Sequence, residues 1–513
     1  MKNEVIIINT DKVERPKSEM SYEAVRNTLY EKSECEKVTV VVQAYGRLDK
    51  TRLCTEHVLK FTQDVPFKLI LLDNGSEEKE IMEYFKNVNY PNKTIMRLTK
   101  NITGVYATNK ALQMVNTKYV VIVNNDVLVT PKWLTNLLEC ADSDPKIGMV
   151  CPVSTNVSCG QEENLGGFDT IDEMIERAKK YNISNSTKWE ERLRLIPTVA
   201  LYRRSIFEIV GLYDTGFIHD WGDDDYSFRV RHAGYKLILC RDTFVHHNHN
   251  VRKLEDKDPV EAIKLANSGR KIFQQRHHGI DSWNDTNDTI SSILAKFNIN
   301  RSNGNSISAL GIDCKCGAMI LDIKNFYRRN GIADMHTTAL VNDIKYYHEL
   351  QYVSEQVIWG TPDEMKEDPA YDFIAIGKPL NQYENPIQII RKAYKITEEN
   401  GYILFSLINS ADYRQFLYCL GNSDFREKEM PKVLYSEEVI DCISQMGGEI
   451  QEVFRVYHQV GDEMKKDIEN TIQCIAQGNK DKINSLMSNL LVMRYWFIVK
   501  KTSSVKKNVK KGE

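Results

Sequence analysis

Between Val38 and Gln43 the chain runs Val-Thr-Val-Val-Val-Gln, a nearly unbroken series of β-branched residues. A surface strand would alternate apolar with polar side chains. An unbroken run predicts a strand buried on both faces, as in a parallel sheet covered by helices on either side. The next hundred residues keep that pattern. They predict a helix from Lys50 to Phe61, a buried strand from Phe67 to Leu72, a helix from Glu77 to Lys86 and a strand from Thr94 to Leu98. A helix from Gly104 to Met114 and a strand from Tyr119 to Val123 follow. Strands alternating with helices are βαβ units, and their sheets offer ligand sites where the strands' carboxyl ends emerge.

At 513 residues the chain has room for about three domains, or two large ones. Residues 1–36 are a polar, mixed N-terminal extension with a helix expected from Tyr22 to Lys32, and 37–280 form the first α/β domain. The stretch 281–305 is rich in Asn, Ser and Asp and reads as a linker carrying one short helix, Ile290 to Phe297. The alternation then restarts with a strand Ala309 to Asp313, a helix Ala318 to Arg329 and strands Thr337 to Val341 and Tyr371 to Ile376. A helix Pro386 to Glu399 and a strand Tyr402 to Leu407 complete a second α/β domain over 306–500. Residues 501–513 are a lysine-rich tail.

No segment approaches the ~18 consecutive apolar residues of a membrane span, and the start lacks the layout of a signal peptide. The eleven cysteines are scattered without a CxxC pair, which suits reduced thiols. These features predict a cytoplasmic protein, at most peripheral at the inner face of a membrane through its lysine tail. The sequons at Asn101, Asn156, Asn182 and Asn185 carry no meaning in that compartment. A net charge of −3, from 68 basic and 71 acidic residues, gives no field for nucleic acid.

Three polar clusters sit where strands end. Asp73-Asn74-Gly75-Ser76 follows the second buried strand, either as a turn that caps the next helix or as a carboxylate that accepts hydrogen bonds from a base or ribose. Asn124-Asn125-Asp126 follows the strand ending at Val123, either as an Asn/Asp turn or as the oxygen ligand of a hard divalent cation shared with phosphate. Asp223-Asp224-Asp225 opens a helix from Tyr226 to His232. One carboxylate would satisfy the helix dipole; three repel one another, which raises at least one pKa and suits a general base. Downstream, His246, His247 and His249 stand close together as metal or phosphate contacts.

In order and spacing these pieces resemble family 2 glycosyltransferases of the GT-A fold: Val40 to Arg47, Leu71 to Ser76, Asn101 to Lys110, Val121 to Val127, Ile209 to Asp214 and Asp223 to Tyr235. The resemblance spans about 38–250. It implies an inverting transfer from a UDP- or dTDP-sugar to a hydroxyl. By position it implies that Ala44, Tyr45, Arg47, Asp73, Asn101, Gly104, Asn109, Asn124 and Asn125 bind the nucleotide sugar, with Asp73 reading the base. It implies that Asp126 and His246 hold Mg²⁺ or Mn²⁺, with His247 able to substitute, and that Asp223 is the catalytic base, Asp224 being the fallback. Asn124 and Asn125 stand where acidic residues are more usual, which leaves one metal carboxylate. Residues 155–200, including Lys188 to Arg194, are expected to wall the acceptor side.

The segment Leu310 to Met319, with Tyr371 to Leu380, Asn400 to Phe405 and Ser436 to Gly448, resembles class I methyltransferases. That implies a second Rossmann-like α/β domain. Lys315 stands where the cofactor loop has its first Gly, and Val341-Asn342-Asp343 offers only a weak ribose contact, so S-adenosylmethionine binding is not expected. Cys314 and Cys316 read as loop thiols. The acceptors considered are a glycan, a lipid-linked glycan or a flagellin-like protein, and self-association into a homodimer stays open. Two alternatives stay open beside this reading: a bifunctional enzyme that glycosylates and then methylates, and a non-catalytic carbohydrate-binding scaffold.

Overall fold

The computed structural model describes residues 5–14, 37–217, 220–248, 258–287, 290–297, 306–332, 334–365, 370–419, 432–477 and 479–502. The helix expected from Tyr22 to Lys32 and all but the first two residues of the lysine tail lie outside these. The chain divides into two compact units, Met1–Asn287 with Arg328–Asn330, and Asp288–Tyr327 with Gly331–Glu513.

In the first unit the strands are β1 (Val5–Ile8), β2 (Val38–Ala44), β3 (Phe67–Asp73), β4 (Lys93–Leu98), β5 (Tyr119–Asn124), β6 (Val127–Leu128), β7 (Ile147–Ser154), β8 (Trp189–Arg192), β9 (Val199–Arg203) and β10 (Lys236–His247). Their order is β1-β4-β3-β2-β5-β9-β7-β10-β6, with β8 paired to β10. The first five in that order run parallel, β9 runs antiparallel between β5 and β7, and β10 is again parallel to β7. The β-branched run lies at the centre and is buried on both faces. Val38, Val40 and Val42 pack with Cys54, Val58, Phe85 and Trp133 on one side. Val41 packs with Ala107, Ala111, Tyr226 and Val230 on the other. The period-2 alternation of a strand sends neighbouring valines to opposite layers.

The apolar run Val5–Ile8 inside the polar extension forms an edge strand in register with Ile95 to Leu98 of β4. At four residues it is too short for its periodicity to declare it. Behind it Thr10 is buried, donating to the Lys100 carbonyl at 2.8 Å and accepting from the Lys100 N–H at 2.9 Å.

The second unit holds β11 (Ser306–Ile312), β12 (Asp334–Val341), β13 (Gln356–Trp359), β14 (Tyr371–Ile376), β15 (Thr397–Ile408), β16 (Gly448–Tyr457) and β17 (Val492–Lys501). The order is β13-β12-β11-β14-β15-β17-β16, with β17 antiparallel to both neighbours and the first five strands parallel. It is a mixed α/β sheet. Lys500 pairs with Tyr402 and Lys501 with Gly448, so the first lysine of the tail, Lys501, belongs to a strand.

The composition-based boundary is moved by the structure. Residues 281–287 are not linker. Asp281 caps a short helix, Ser282–Asp285, by accepting from the Trp283 and Asn284 N–H groups, and this piece packs within the first unit. Asn and Asp are as much cap residues as loop residues, which is why composition misread them.

Candidate active site

The three consecutive aspartates open the helix Gly222–His232. Successive residues of a helix are 100° apart, so each carboxylate meets a different environment. Asp225 points into the fold, held by Arg229 Nε at 2.8 Å, His277 Nε2 at 3.1 Å and Arg276 at 3.6 Å. Burial alone would raise its pKa, but those cations hold it below the usual carboxylate range. Asp224 accepts from Arg194 at 2.6 Å, Ser282 Oγ at 2.7 Å and Trp283 Nε1 at 3.2 Å. Asp223 has no side-chain hydrogen-bond partner among the described residues and lines a cleft of about 710 Å³. Burial first, then the charge of Asp224, push it up to about 7 against the pull of Arg194.

Ahead of this helix Trp221 has φ 74°. A bulky side chain in the left-handed region is strained by about 1–2 kcal/mol, and the cost is borne at the residue that aims Asp223. Gly269, inside the helix Pro259–Arg276, lets that helix sit on the Trp221 ring; a Cβ there would fall 2.7 Å from Trp221 Cδ1.

Asp126 lies between β5 and β6. Its carboxylate meets Arg47 at 3.5 Å and His247 Nε2 at 3.4 Å. The antiparallel pairing of β6 with β10 sets His247 opposite Val127, next to Asp126. His246, the ligand that the resemblance implies, is the adjacent residue of β10, paired with Leu128. One residue earlier on the strand, His246 faces the other way, with Nδ1 2.7 Å from Thr155 Oγ1 and its ring against Phe168. Burial, then the nearby charge of His247, push its pKa down to about 4.

His247 Nδ1 lies 3.1 Å from the Asn156 carbonyl. A carbonyl only accepts, so Nδ1 carries the proton and Nε2 is the ring nitrogen turned to Asp126. An imidazole nitrogen and a carboxylate oxygen 3.4 Å apart are both ligand types that a divalent cation takes. Neighbouring ligands around Mg²⁺ or Mn²⁺ at ~2.1 Å would be about 3 Å apart, so the pair fits such an ion. Among the described residues no group of three His, Cys, Asp or Glu side chains could hold a metal. A cation at Asp126 and His247 would need diphosphate or water oxygens for its remaining positions.

Two short segments tie this pair to the Asp223 cleft. Asn156 donates to the His247 carbonyl at 2.9 Å, while Ser158 and Cys159 line the cleft; three residue steps span at most about 11 Å. Ile196 also lines the cleft, two residues from Thr198, whose carbonyl accepts from the Asn124 N–H. Of the acceptor-side segment 155–200, Ser158, Cys159, Arg194 and Ile196 reach the cleft, whereas Trp189–Arg192 form β8 against β10.

The nucleotide-side residues divide. Arg47, itself left-handed at φ 59°, starts the helix Leu48–Phe61 and turns its guanidinium to Asp126. Tyr45 is exposed, and Gly104 opens the helix Gly104–Leu112 behind a Thr103 cap. Ala44 is buried and accepts from the Asn74 N–H. Asn124 ends β5 half-buried. Asn101 donates to the Asn74 carbonyl at 3.2 Å, beside Gly75, where a Cβ would fall 2.4 Å from the Asn101 nitrogen.

Three of these residues have other work. Asn109 is buried, donating to the Tyr213 carbonyl and accepting from its N–H. Asn125 clamps Gly46 and Thr51. Asp73 is fully buried, with Arg97 at 2.7 Å on one oxygen and the Ser76 N–H at 3.0 Å on the other, and burial pushes its pKa up. Its carboxylate is covered by the Arg97 guanidinium, which is a quarter exposed. The aromatic cleft wall, Trp221 and Trp283, was missed by sequence reasoning. The only available signal was a Trp inside an Asn- and Asp-rich stretch.

Residues 39–211 match the family model for glycosyl transferase family 2. The N-terminal half carries a family 2 glycosyltransferase domain. Two curated relatives match part of the chain. An uncharacterized protein, y4gI, of Sinorhizobium fredii is 23% identical over 44% of this chain and 26% of its own length. The O-antigen biosynthesis protein RfbC of Myxococcus xanthus is 24% identical over 44% of this chain and 18% of its own. The chain thus spans about a quarter or less of these relatives. Two solved structures of glycosyltransferases are similar at 15% identity. GalNAc-T7 with UDP, GalNAc and Mn²⁺ covers 47% of this chain and 50% of its own at a TM-score of 0.36. The mannosyltransferase PcManGT of Pyrobaculum calidifontis with GDP-Man and Mn²⁺ covers 54% and 71% at 0.33. Within the glycosyltransferase domain no described helix is long and apolar enough to cross a membrane, and the same holds for the rest of the described chain.

Proposed function

We propose that the protein is an inverting glycosyltransferase that moves a sugar from a UDP- or dTDP-sugar to a hydroxyl acceptor. The observation that carries this reading is Asp223, a carboxylate facing a cleft, pushed up to about 7, with the lining residue Cys159 three positions along the chain from Asn156, which donates to the His247 carbonyl. A base works best when its pKa lies near the working pH.

The acceptor oxygen attacks the anomeric carbon of the donor and its proton passes to Asp223. The bond from that carbon to the diphosphate oxygen breaks, and the diphosphate leaves with the electron pair. One displacement inverts the anomeric centre. Asp126 with His247 would hold Mg²⁺ or Mn²⁺, whose chemistry is to neutralise charge on the leaving diphosphate. Arg47 adds a second positive charge at the same place, and the Arg97 guanidinium takes over from Asp73 at the base. Arg194 keeps Asp224 in place so that Asp223 alone turns to the acceptor.

The name of the Myxococcus relative supports a place in bacterial surface-glycan assembly. The second unit is a methyltransferase-like domain that does not bind S-adenosylmethionine. Its strand order, counted from its own first strand as 3-2-1-4-5-7-6 with strand seven antiparallel, supports the likeness. The crevice between β11 and β14 is where such a sheet would bind a ligand. Tyr383 donates to Asp313 there at 2.8 Å, and a Cβ on Gly377 would fall 2.4 Å from the Asp313 carbonyl oxygen. Asp343 is occupied in capping the helix Ile344–Leu350.

The test is a donor-hydrolysis screen of UDP-, dTDP- and GDP-sugars with Mn²⁺. Hydrolysis of one donor class is expected, abolished by EDTA and by Asp223→Asn. Hydrolysis indifferent to both would overturn the reading.

A further inference from the structure

The cleft before Asp223 has a built aromatic wall. Trp283 lines it half-buried, its ring stacked on Trp221 with centroids 4.5 Å apart and planes 13° from parallel. Its Nε1 is tied to Asp224 at 3.2 Å, and the Arg270 guanidinium lies 5.7 Å from its ring centre and 5.5 Å from that of Trp221. Stacking, hydrogen bond and cation together fix the indole plane within one residue of the base, since the group it donates to adjoins Asp223. The helix Pro259–Arg276 gives only short side chains, Pro259, Ala262 and Ala266, and the branched Ile263 to the lining.

Around this wall Asp220, Arg194 and Asn287 bring polar side chains to the same lining as Asp223. At about 710 Å³ the cleft is in the range that encloses a whole small molecule, far more than a serine or threonine side chain needs. A flat apolar face, a ring of hydrogen-bonding groups and this volume are complementary to a pyranose, which has C–H bonds on one face and hydroxyls around its rim.

We infer that the acceptor is itself a sugar, a pyranoside whose ring lies on Trp283 and turns one hydroxyl to Asp223. This rests on the cleft being the acceptor side of a glycosyltransferase. Trp283 is then a specificity-determining residue, supplied by a stretch that composition marks as linker.

Saturation-transfer NMR on the full chain tests this, with methyl α-glycopyranosides of glucose, mannose, N-acetylglucosamine and rhamnose as probes and a serine/threonine peptide alongside. At least one glycoside is expected to receive saturation at its ring C–H protons. Trp283→Phe, which keeps a ring but loses the bond to Asp224, retains binding. Trp283→Ala weakens it about tenfold with the circular dichroism spectrum unchanged. No glycoside binding, equal binding to Trp283→Ala, or Trp283-dependent binding of the peptide instead would overturn the inference. Donor hydrolysis in the same preparation separates the two readings. Hydrolysis without Trp283-dependent glycoside binding overturns only the sugar acceptor. Glycoside binding without hydrolysis of any nucleotide sugar overturns the transferase.

Discussion

Asp223, Asp224 and Asp225 are chemically identical and adjacent, yet the fold gives them three fates: one faces the cleft, one is pinned by Arg194 and Trp283, one is locked in a buried ion network. Asp223→Asn is expected to lower kcat by about 10²–10⁴ while leaving nucleotide affinity, read by isothermal titration, within twofold. A base acts only when ionised. The rate should therefore climb about tenfold per pH unit below about 7 and level above it, since Asp223 is pushed up to about 7. Asp224→Asn removes a negative neighbour and leaves Arg194 uncompensated. Both changes favour ionised Asp223, so the acid limb should move to lower pH; a shift the other way would remove Asp223 as the titrating group. The residue types at 73, 126 and 223 were legible in the sequence. Which oxygen of which carboxylate remains available was not, because that depends on partners such as Arg97, Ser282 and Trp283 that lie far along the chain or in a segment read as linker.

The elements themselves were easier to read. β2, β3 and β5 declare themselves by apolar runs that only a doubly covered sheet can bury. The edge strand Val5–Ile8 does not, because four residues carry too little period. Removing residues 1–14 uncovers the β4 edge, and an uncovered edge invites pairing with other chains. The shortened protein should show a lower melting midpoint and more aggregation by light scattering. The choice between His246 and His247 is also an element-scale matter. Adjacent residues of a strand face opposite ways, and the pairing of β10 with β6 decides which one meets Asp126. At Gly75 a positive φ coincides with a Cβ position 2.4 Å from the backbone of Asn101. Gly75→Ala should destabilise the domain by about 2 kcal/mol or more, measured as a shift in urea midpoint at constant slope.

At the scale of the whole molecule, the main stretch of the first unit runs to Asn287, with Arg328–Asn330 added from further along the chain. The last seven residues of that stretch carry Ser282 and Trp283, which bind Asp224. A fragment ending at 287 should retain donor hydrolysis, whereas one ending at 280 should fold less stably and lose at least tenfold in rate; equal rates would mean that Trp283 and Ser282 do nothing for the site. Metal should matter in the same way: EDTA should weaken nucleotide-sugar affinity in calorimetry, because Asp126 and His247 alone leave most of a cation's coordination to the diphosphate.

The amino-acid sequence by itself determined the two-domain α/β organisation, the position of the central strands and the carboxylates at their ends, because burial periodicity and turn chemistry are local and written in neighbouring residues. Tertiary structure alone decided that His247 stands by Asp126, that Asp73 is covered by Arg97, and that two tryptophans 62 positions apart stack into one wall. Those outcomes depend on strand register and helix packing, contacts between residues distant along the chain, which no local pattern encodes.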